Sequence, residues 1–243
     1  MSFLKIHVFE SVTSTNETAK AFAQKGAQGG EVVIAKTQTA GRGRLNRQWV
    51  SEKGNLFCSV ILRPEIEAKK ATHFTFVAAV AVAECLQKYL KEGIELKWPN
   101  DVLVHRKKIC GILLELETKA DKVDFIILGI GINVNETKFP PGFLHPPTSL
   151  KLSTKKDIDL EIFQKEILES LFHWVQVYLK EGFSPIQKAW QKRSVVHGQT
   201  VEIEDQGQRI CGKGMGINED GALVIETDAK KRIPIYSGDL VCF

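Results

Sequence analysis

Apolar positions along this chain fall into two rhythms, short unbroken runs and helical spacings, separated by polar, glycine- or proline-bearing turns. Ser14 and Glu17 have the S-x-x-E spacing of a capping box, Ala19, Phe22 and Ala23 mark one face, and Gly26 supplies a stop, so a helix is predicted from Ser14 to Gly26. Glu31–Thr37 and Leu56–Leu62 read as buried strands, and Gln38–Asn55 between them is too polar and glycine-rich for either element. Ala71–Leu90 is apolar almost all round at its centre, the mark of a central packed helix. Four short β-type runs follow, Glu95–Trp98, Val102–Val104, Lys108–Leu116 and Val123–Ile132, linked by turns such as Pro99-Asn100-Asp101 and His105-Arg106-Lys107. Links this short require antiparallel neighbours, because a parallel return needs a dozen or more residues. Residues 136–150 hold four prolines and read as a surface loop. Leu160, Phe163, Ile167, Leu171, Trp174 and Tyr178 then recur at helical spacing up to Gly182, and Pro185 opens a shorter helix reaching about Arg193.

After Val196 the pattern changes. Val201–Ile203, Ile210–Ile217, Ala222–Glu226, Ile233–Tyr236 and Leu240–Phe243 are short strands split by Asp205-Gln206-Gly207, Asn218-Glu219-Asp220-Gly221 and Ser237-Gly238-Asp239. Strands this dense predict a small β-barrel. The expected architecture is therefore α+β: a mixed, mainly antiparallel sheet packed with helices over residues 1–195, and a small barrel domain over 196–243.

Composition narrows the function classes. At 243 residues the chain is long enough to bury a core without disulfide or metal. No apolar run exceeds Phe76–Ala83, far short of the roughly 20 residues of a membrane span. The N-terminus has no charged stretch followed by an apolar one, so no signal peptide is expected. Cys58, Cys85, Cys110, Cys211 and Cys242 are dispersed and odd in number, which argues against a zinc site or a secreted disulfide framework and for a reducing cytoplasm. Basic residues exceed acidic ones by only four, yet the excess is local. Residues 41–49 carry three arginines and no acid, and 97–108 carry Lys97, Arg106, Lys107 and Lys108 against Asp101.

Those two segments are the first candidates for chemistry. Gly41-Arg42-Gly43-Arg44-Leu45-Asn46-Arg47-Gln48-Trp49 combines glycines that let backbone N–H groups approach an anion with forked, permanently charged donors. A flexible basic surface loop has the same composition, and the segment is not a P-loop, since it lacks G-K-[ST]. Lys97-Trp98-Pro99-Asn100-Asp101 places a cation at the end of a strand, or is an ordinary hairpin turn. Gly129-Ile130-Gly131-Ile132-Asn133 puts glycines on one side of a strand, either as a floor for a ligand or as a tight crossing. Ser14-Thr15-Asn16 caps a helix or meets a polar ligand.

Taken together and in order, Ser14-Thr15-Asn16, Gln38-Thr39 with Gly41 through Trp49, Lys97 through Asp101, Lys108 with Gly111-Ile112-Leu113 and Glu115, and Gly129-x-Gly131-x-Asn133 resemble a biotin–protein ligase, in the short form without an N-terminal DNA-binding domain. Pro147-Thr148-Ser149-Leu150 and the small C-terminal barrel are similar to that family too, so the likeness covers nearly the whole chain. It implies a class II synthetase-like catalytic domain followed by a Src-homology-3-like barrel. It further implies that biotin and ATP, with Mg²⁺ as counter-ion, yield biotinyl-5′-adenylate, and that a lysine of a biotin carboxyl carrier domain then takes the biotinyl group.

By match to the family, Ser14, Thr15 and Gln38 would hydrogen-bond biotin's polar atoms, the backbone of Arg42 and the strand from Gly129 to Gly131 would lie against its ring, and Asn16, Gly41, Gly43, Arg44, Lys97 and Gly111 would complete the biotin-binding set. Lys97 would be the principal catalytic residue, with Arg44 retaining the adenylate. Arg47, Trp49, Lys108 and Asn133 would meet the nucleotide. The family loop reads Gly-Arg-Gly-Arg-x-Gly-Arg, whereas this chain has Asn46 at the third glycine. Because Ser14 stands so near the start, no helix-turn-helix is expected and hence no sequence-specific DNA binding, and no membrane partner is expected either. Family members differ in whether they dimerise. A lipoate–protein ligase is the nearest alternative, and a non-catalytic binder of biotin or of a polyanion is the alternative from another class.

Overall fold

The computed structural model describes residues 5–143, 145–205 and 207–242. Among the described residues two sheets and five helices enclose two hydrophobic clusters, a large one around the helix His73–Leu86 that reaches into the second sheet and a smaller one under the helix Thr15–Gln24. The first sheet has seven strands: β1 (Lys5–Val12), β2 (Glu31–Gln38), β3 (Leu56–Leu62), β4 (Ile94–Lys97), β5 (Asp101–Val104), β6 (Lys107–Lys119) and β7 (Lys122–Ile132), in the order β1-β2-β3-β7-β6-β5-β4. Every neighbour pair is antiparallel except β1 and β2, which are parallel and joined through α1 (Thr15–Gln24). The expected mixed, mainly antiparallel α+β sheet is present, with β1 added at its edge. β1 carries no apolar run: Ile6 and Val8 are exposed, and the strand exists because β2 offers it a hydrogen-bonding partner.

Helices cover the two faces unequally. On one face lies α2 (His73–Leu86), buried at twelve of its fourteen positions, as its all-round apolar sequence requires. It is backed by α4 (Leu160–Glu181), whose start is capped by Asp159 accepting from Glu161 N and Ile162 N, and by α5 (Ser184–Gln191). A short α3 (Leu150–Thr154) begins where the proline-bearing loop ends. On the other face α1 packs Ala19 and Ala23 onto Val33, Ile61, Phe125 and Ile127. α1 covers only that half of its face and leaves the ends of β2, β3, β6 and β7 open.

The capping-box expectation at the start of α1 is corrected. Ser14 occupies the N-cap position, but its side chain makes no capping hydrogen bond. Glu17 instead lies 3.7 Å from Arg42.

The second sheet contains β8 (Thr200–Asp205), β9 (Gln208–Ile217), β10 (Leu223–Glu226), β11 (Arg232–Ile235) and β12 (Asp239–Cys242), in the antiparallel order β11-β10-β9-β8-β12. All five expected strands are present; their ladder is open, with no pairing of β11 to β12 among the described residues. The segment that leads into this sheet and the turn between β9 and β10 are both bonded to the first sheet. Leu96 N donates to Arg193 O at 2.8 Å and Val195 N to Leu96 O at 3.0 Å. Trp98 Nε1 donates to Gly221 O at 3.3 Å. Gly221 has φ +80°, and a Cβ there would come within 2.7 Å of the Phe76 ring, so glycine is required on both counts.

Candidate active site

The uncovered half of the sheet face holds a cavity of about 840 Å³. Its floor follows from strand register. Paired residues on neighbouring strands point to the same side, so Phe57 (β3), Gly131 (β7), Gly111 (β6), Asp101 (β5) and Lys97 (β4) form one row across five strands. Ser59, Gly129 and Leu113 form the next row. The middle of both rows is bare backbone; the first row has an aromatic ring at one end and a lysine at the other, and the second is bounded by Ser59 and Leu113.

The protein's own side chains use the bare backbone. A Cβ on Gly129 would lie 2.1 Å from Asn16 Oδ1, and one on Gly111 or Gly131 would lie 2.7 Å from the Trp49 ring. The glycines are thus the recesses that receive Asn16 and Trp49, and a ligand on this floor meets the indole as well as backbone.

A polar chain closes one end of the cavity. Thr15 N and Oγ1 donate to Gln38 Oε1 at 2.8 and 3.1 Å, and Gln38 Nε2 donates to Ser51 Oγ at 2.9 Å. Ser59 Oγ lies 2.8 Å from Thr15 Oγ1 and 2.6 Å from Asn16 Oδ1. Asn16 Nδ2 donates to Glu115 Oε2 at 2.8 Å, and Glu115 in turn accepts from Arg42 Nη2. Two hydroxyl protons, on Thr15 and Ser59, serve three oxygen–oxygen contacts. One oxygen of the chain is therefore left free to accept from elsewhere.

Cations gather at the other end. Lys97 is 5% exposed, and burial pulls its pKa below the usual lysine value, against the opposing pull of Asp101. Lys108 Nζ is 2.6 Å from Asp101 Oδ1 and 5.4 Å from the Trp49 ring centroid. Arg44 is likewise held below its usual value by burial, opposed by Asp239 and Asp101. The Gly41–Trp49 loop that carries the arginines is a small hairpin: Trp49 N donates to Gly41 O at 2.9 Å and Gly43 N to Arg47 O at 2.7 Å.

Of the residues singled out in the sequence, Ser14, Thr15, Asn16, Gln38, Arg42, Gly43, Arg44, Arg47, Trp49, Lys97, Lys108, Gly111, Gly129, Gly131 and Asn133 all line this cavity. Gly41 does not; a Cβ there would strike Ser51 Oγ and Trp49 O at 2.5 Å, so its bareness serves packing of the loop base. Asn133 lines the wall while its Nδ2 donates to Thr148 O at 3.0 Å, tying the proline-bearing loop to the strand end.

Sequence reasoning passed over Asp239 and His145 and the Phe139 and Phe143 rings of that loop, which line the cavity, and over Ser51 and Ser59, which belong to the polar chain without lining the cavity. Ser59 had a signal, a lone hydroxyl inside the apolar run Leu56–Leu62. Asp239 had none, because its Ser-Gly-Asp context reads as a turn.

Known proteins match over the same extent. Residues 8–133 fit the biotin/lipoate A/B protein ligase family, and residues 196–241 fit the biotin protein ligase C-terminal domain. The bifunctional ligase/repressor BirA of Bacillus subtilis is 36% identical over 232 residues, 94% of this chain and 71% of that protein. The biotin–[acetyl-CoA-carboxylase] ligase of Paracoccus denitrificans is 33% identical over 226 residues, 90% of this chain and 93% of that protein. Among solved structures, the biotin protein ligase of Aquifex aeolicus in complex with biotin and ATP superposes with a TM-score of 0.85 at 30% identity, covering 98% of both chains. With the cavity, its ordered motifs and both domains in agreement, the chain belongs to the biotin/lipoate A/B protein ligase family.

Proposed function

We propose that the chain is an ATP-dependent biotin–protein ligase, with residues 1–195 as its catalytic domain and 196–243 as its C-terminal domain. The observation that carries biotin over lipoate is the polar end of the cavity at Thr15, Asn16 and Gln38, where the chain continued by Ser59 leaves one oxygen free to accept. Biotin's ureido group brings two N–H donors and a carbonyl to such an end, whereas the dithiolane of lipoate brings no donor. A buried acceptor left unmet costs about 1–3 kcal/mol, enough to separate the two acids. The ring then lies over the glycine rows against Trp49, and the valeryl chain runs toward Lys97 and Lys108.

In the first step a biotin carboxylate oxygen attacks the α-phosphorus of ATP, and the bond to the pyrophosphate oxygen breaks. Two anions must meet, so Lys97 and Lys108, on either side of Asp101, neutralise the developing charge, while Arg44 and Arg47 hold the phosphates. Mg²⁺ travels with the nucleotide as its counter-ion. In the second step the uncharged amine of a carrier-domain lysine attacks the acyl carbon, AMP departs, and the amine's proton leaves to solvent or base. The Gly41–Trp49 hairpin and the loop carrying Phe139 and Phe143 flank the adenylate and limit its hydrolysis. The reading places the enzyme in the cytoplasm, with a carboxylase carrier domain as its protein partner, and leaves open one copy or two.

The test is direct. The protein, ATP, Mg²⁺, biotin and a carrier-domain fragment are incubated and the fragment is weighed; the expected result is a gain of one biotinyl group. No gain, with a known ligase succeeding in parallel, rejects the reading, and a gain with lipoate instead transfers it to the other acid.

A further inference from the structure

The second sheet reaches into the site at one carboxylate. Asp239, the first residue of β12, lies between two arginines of the Gly41–Trp49 hairpin: its Oδ1 is 3.6 Å from Arg44 Nη1, and its Oδ2 accepts a hydrogen bond from Arg47 Nη2. Arg44 Nη2 also donates to the Gly238 carbonyl at 3.4 Å. These contacts span 192 and 194 residues of sequence, so nothing local explains them. Two guanidinium groups on so short a hairpin repel each other, and a shared counter-charge makes them converge. The Asp239 side chain is 21% exposed and that of Arg44 26%, well removed from the fully solvated case in which ion pairs contribute little.

The body that carries Asp239 is also fixed to the strand that carries Lys97, through Trp98 and Gly221. One rigid unit therefore sets both the lysine and the arginines.

We propose that Asp239 is a positioning residue for adenylate formation: it holds Arg44 and Arg47 where the nucleotide's phosphates arrive and acts through them, never on the substrate itself. This rests on the ligase reading above. A guanidinium has five N–H donors, so Arg47 can keep Asp239 and still offer donors to phosphate.

Biotin-dependent exchange of pyrophosphate into ATP, followed as a function of each substrate, tests the proposal. Asp239→Asn should raise the KM for ATP about tenfold, the worth of one charge-assisted hydrogen bond, and leave the KM for biotin nearly unchanged. Asp239→Glu should restore most of the loss. In a chain carrying Arg44→Ala and Arg47→Ala, Asp239→Asn should add nothing further. An unchanged KM for ATP in a folded Asp239→Asn protein overturns the proposal. So does an equal rise in both KM values with a lowered Tm, or the same tenfold rise without the arginines. Should Asp239→Asn not fold, Asp239→Ser is read the same way; a chain that folds only with a carboxylate at this position makes the residue structural and also overturns it. Absence of exchange in the unaltered chain rejects the ligase reading instead, whereas exchange there with an indifferent Asp239→Asn rejects this inference alone.

Discussion

Asn46 stands where the family loop has glycine, and its φ of +57° shows what that glycine was for. Its neighbour Leu45 also has a positive φ, +54°, although its side chain is 69% exposed and gains little from packing. A left-handed backbone costs an ordinary residue about 1–2 kcal/mol, and asparagine less. Asn46→Gly should leave exchange activity and Tm essentially intact, while Asn46→Val should lower both, as measured by calorimetry and pyrophosphate exchange; equal behaviour of the two variants would show that the backbone conformation is not what position 46 supplies. Lys97 is the other residue on which the proposed chemistry turns. Lys97→Ala should cut biotin-dependent exchange roughly a hundredfold or more, in line with the loss of one preorganised charge-stabilising group, with circular dichroism unchanged; near-normal exchange would remove Lys97 from the chemistry. At this scale the sequence was most legible where a motif combined charge with glycine. Ser51 and Ser59 stayed hidden because their role lies in hydrogen bonds to residues distant in sequence, and Ser14 misled because a hydroxyl at a helix start reads as a cap whether or not it caps.

At the scale of elements, strand register builds the site. Gly131 pairs with Gly111 and Phe57, and Gly129 with Ser59 and Leu113, so two bare rows fall side by side only if β3, β6 and β7 keep this alignment. A slip of one residue would turn every glycine to the opposite face. Gly129→Ala keeps the alignment but drives a methyl group into the Asn16 carboxamide. It should weaken biotin binding about tenfold in calorimetric titration, since displacing Asn16 breaks its bond from Ser59 and its charge-assisted bond to Glu115; unaltered affinity would sink the assignment of that chain to biotin. The strands themselves were readable to within a few residues, because buried runs such as Leu56–Leu62 announce themselves. β1 was not, because an edge strand with exposed Ile6 and Val8 has no buried run to show and depends on a partner supplied later in the chain.

At the scale of the whole molecule, one buried histidine links stability to pH. His73 stacks on Phe183 at 3.9 Å between ring centroids, and its Nδ1 is 3.0 Å from Tyr178 Oη, joining α2 to α4 and to the approach to α5. Burial pulls its pKa from 6.5 down to about 4. The folded chain therefore favours the neutral ring, while the unfolded chain takes up a proton near pH 6.5. Stability from this site is fully present above about pH 6.5 and is lost progressively as the pH falls toward 4. Tm should decline over that window, and His73→Gln should decline less steeply; parallel slopes would show that other groups carry the acid sensitivity. The two-sheet architecture was legible in the change of rhythm after Val196, but its attachment was not, because the bond from Trp98 to Gly221 joins residues 123 positions apart. That bond has a consequence for biosynthesis. A ribosome that has delivered every strand of the first sheet has not yet made Gly221, so the indole beside Lys97 waits for its acceptor. In a nascent or prematurely terminated chain the Trp98 indole therefore lacks this bond, and the tie between the strand that carries Lys97 and the second sheet forms only once Gly221 has been made.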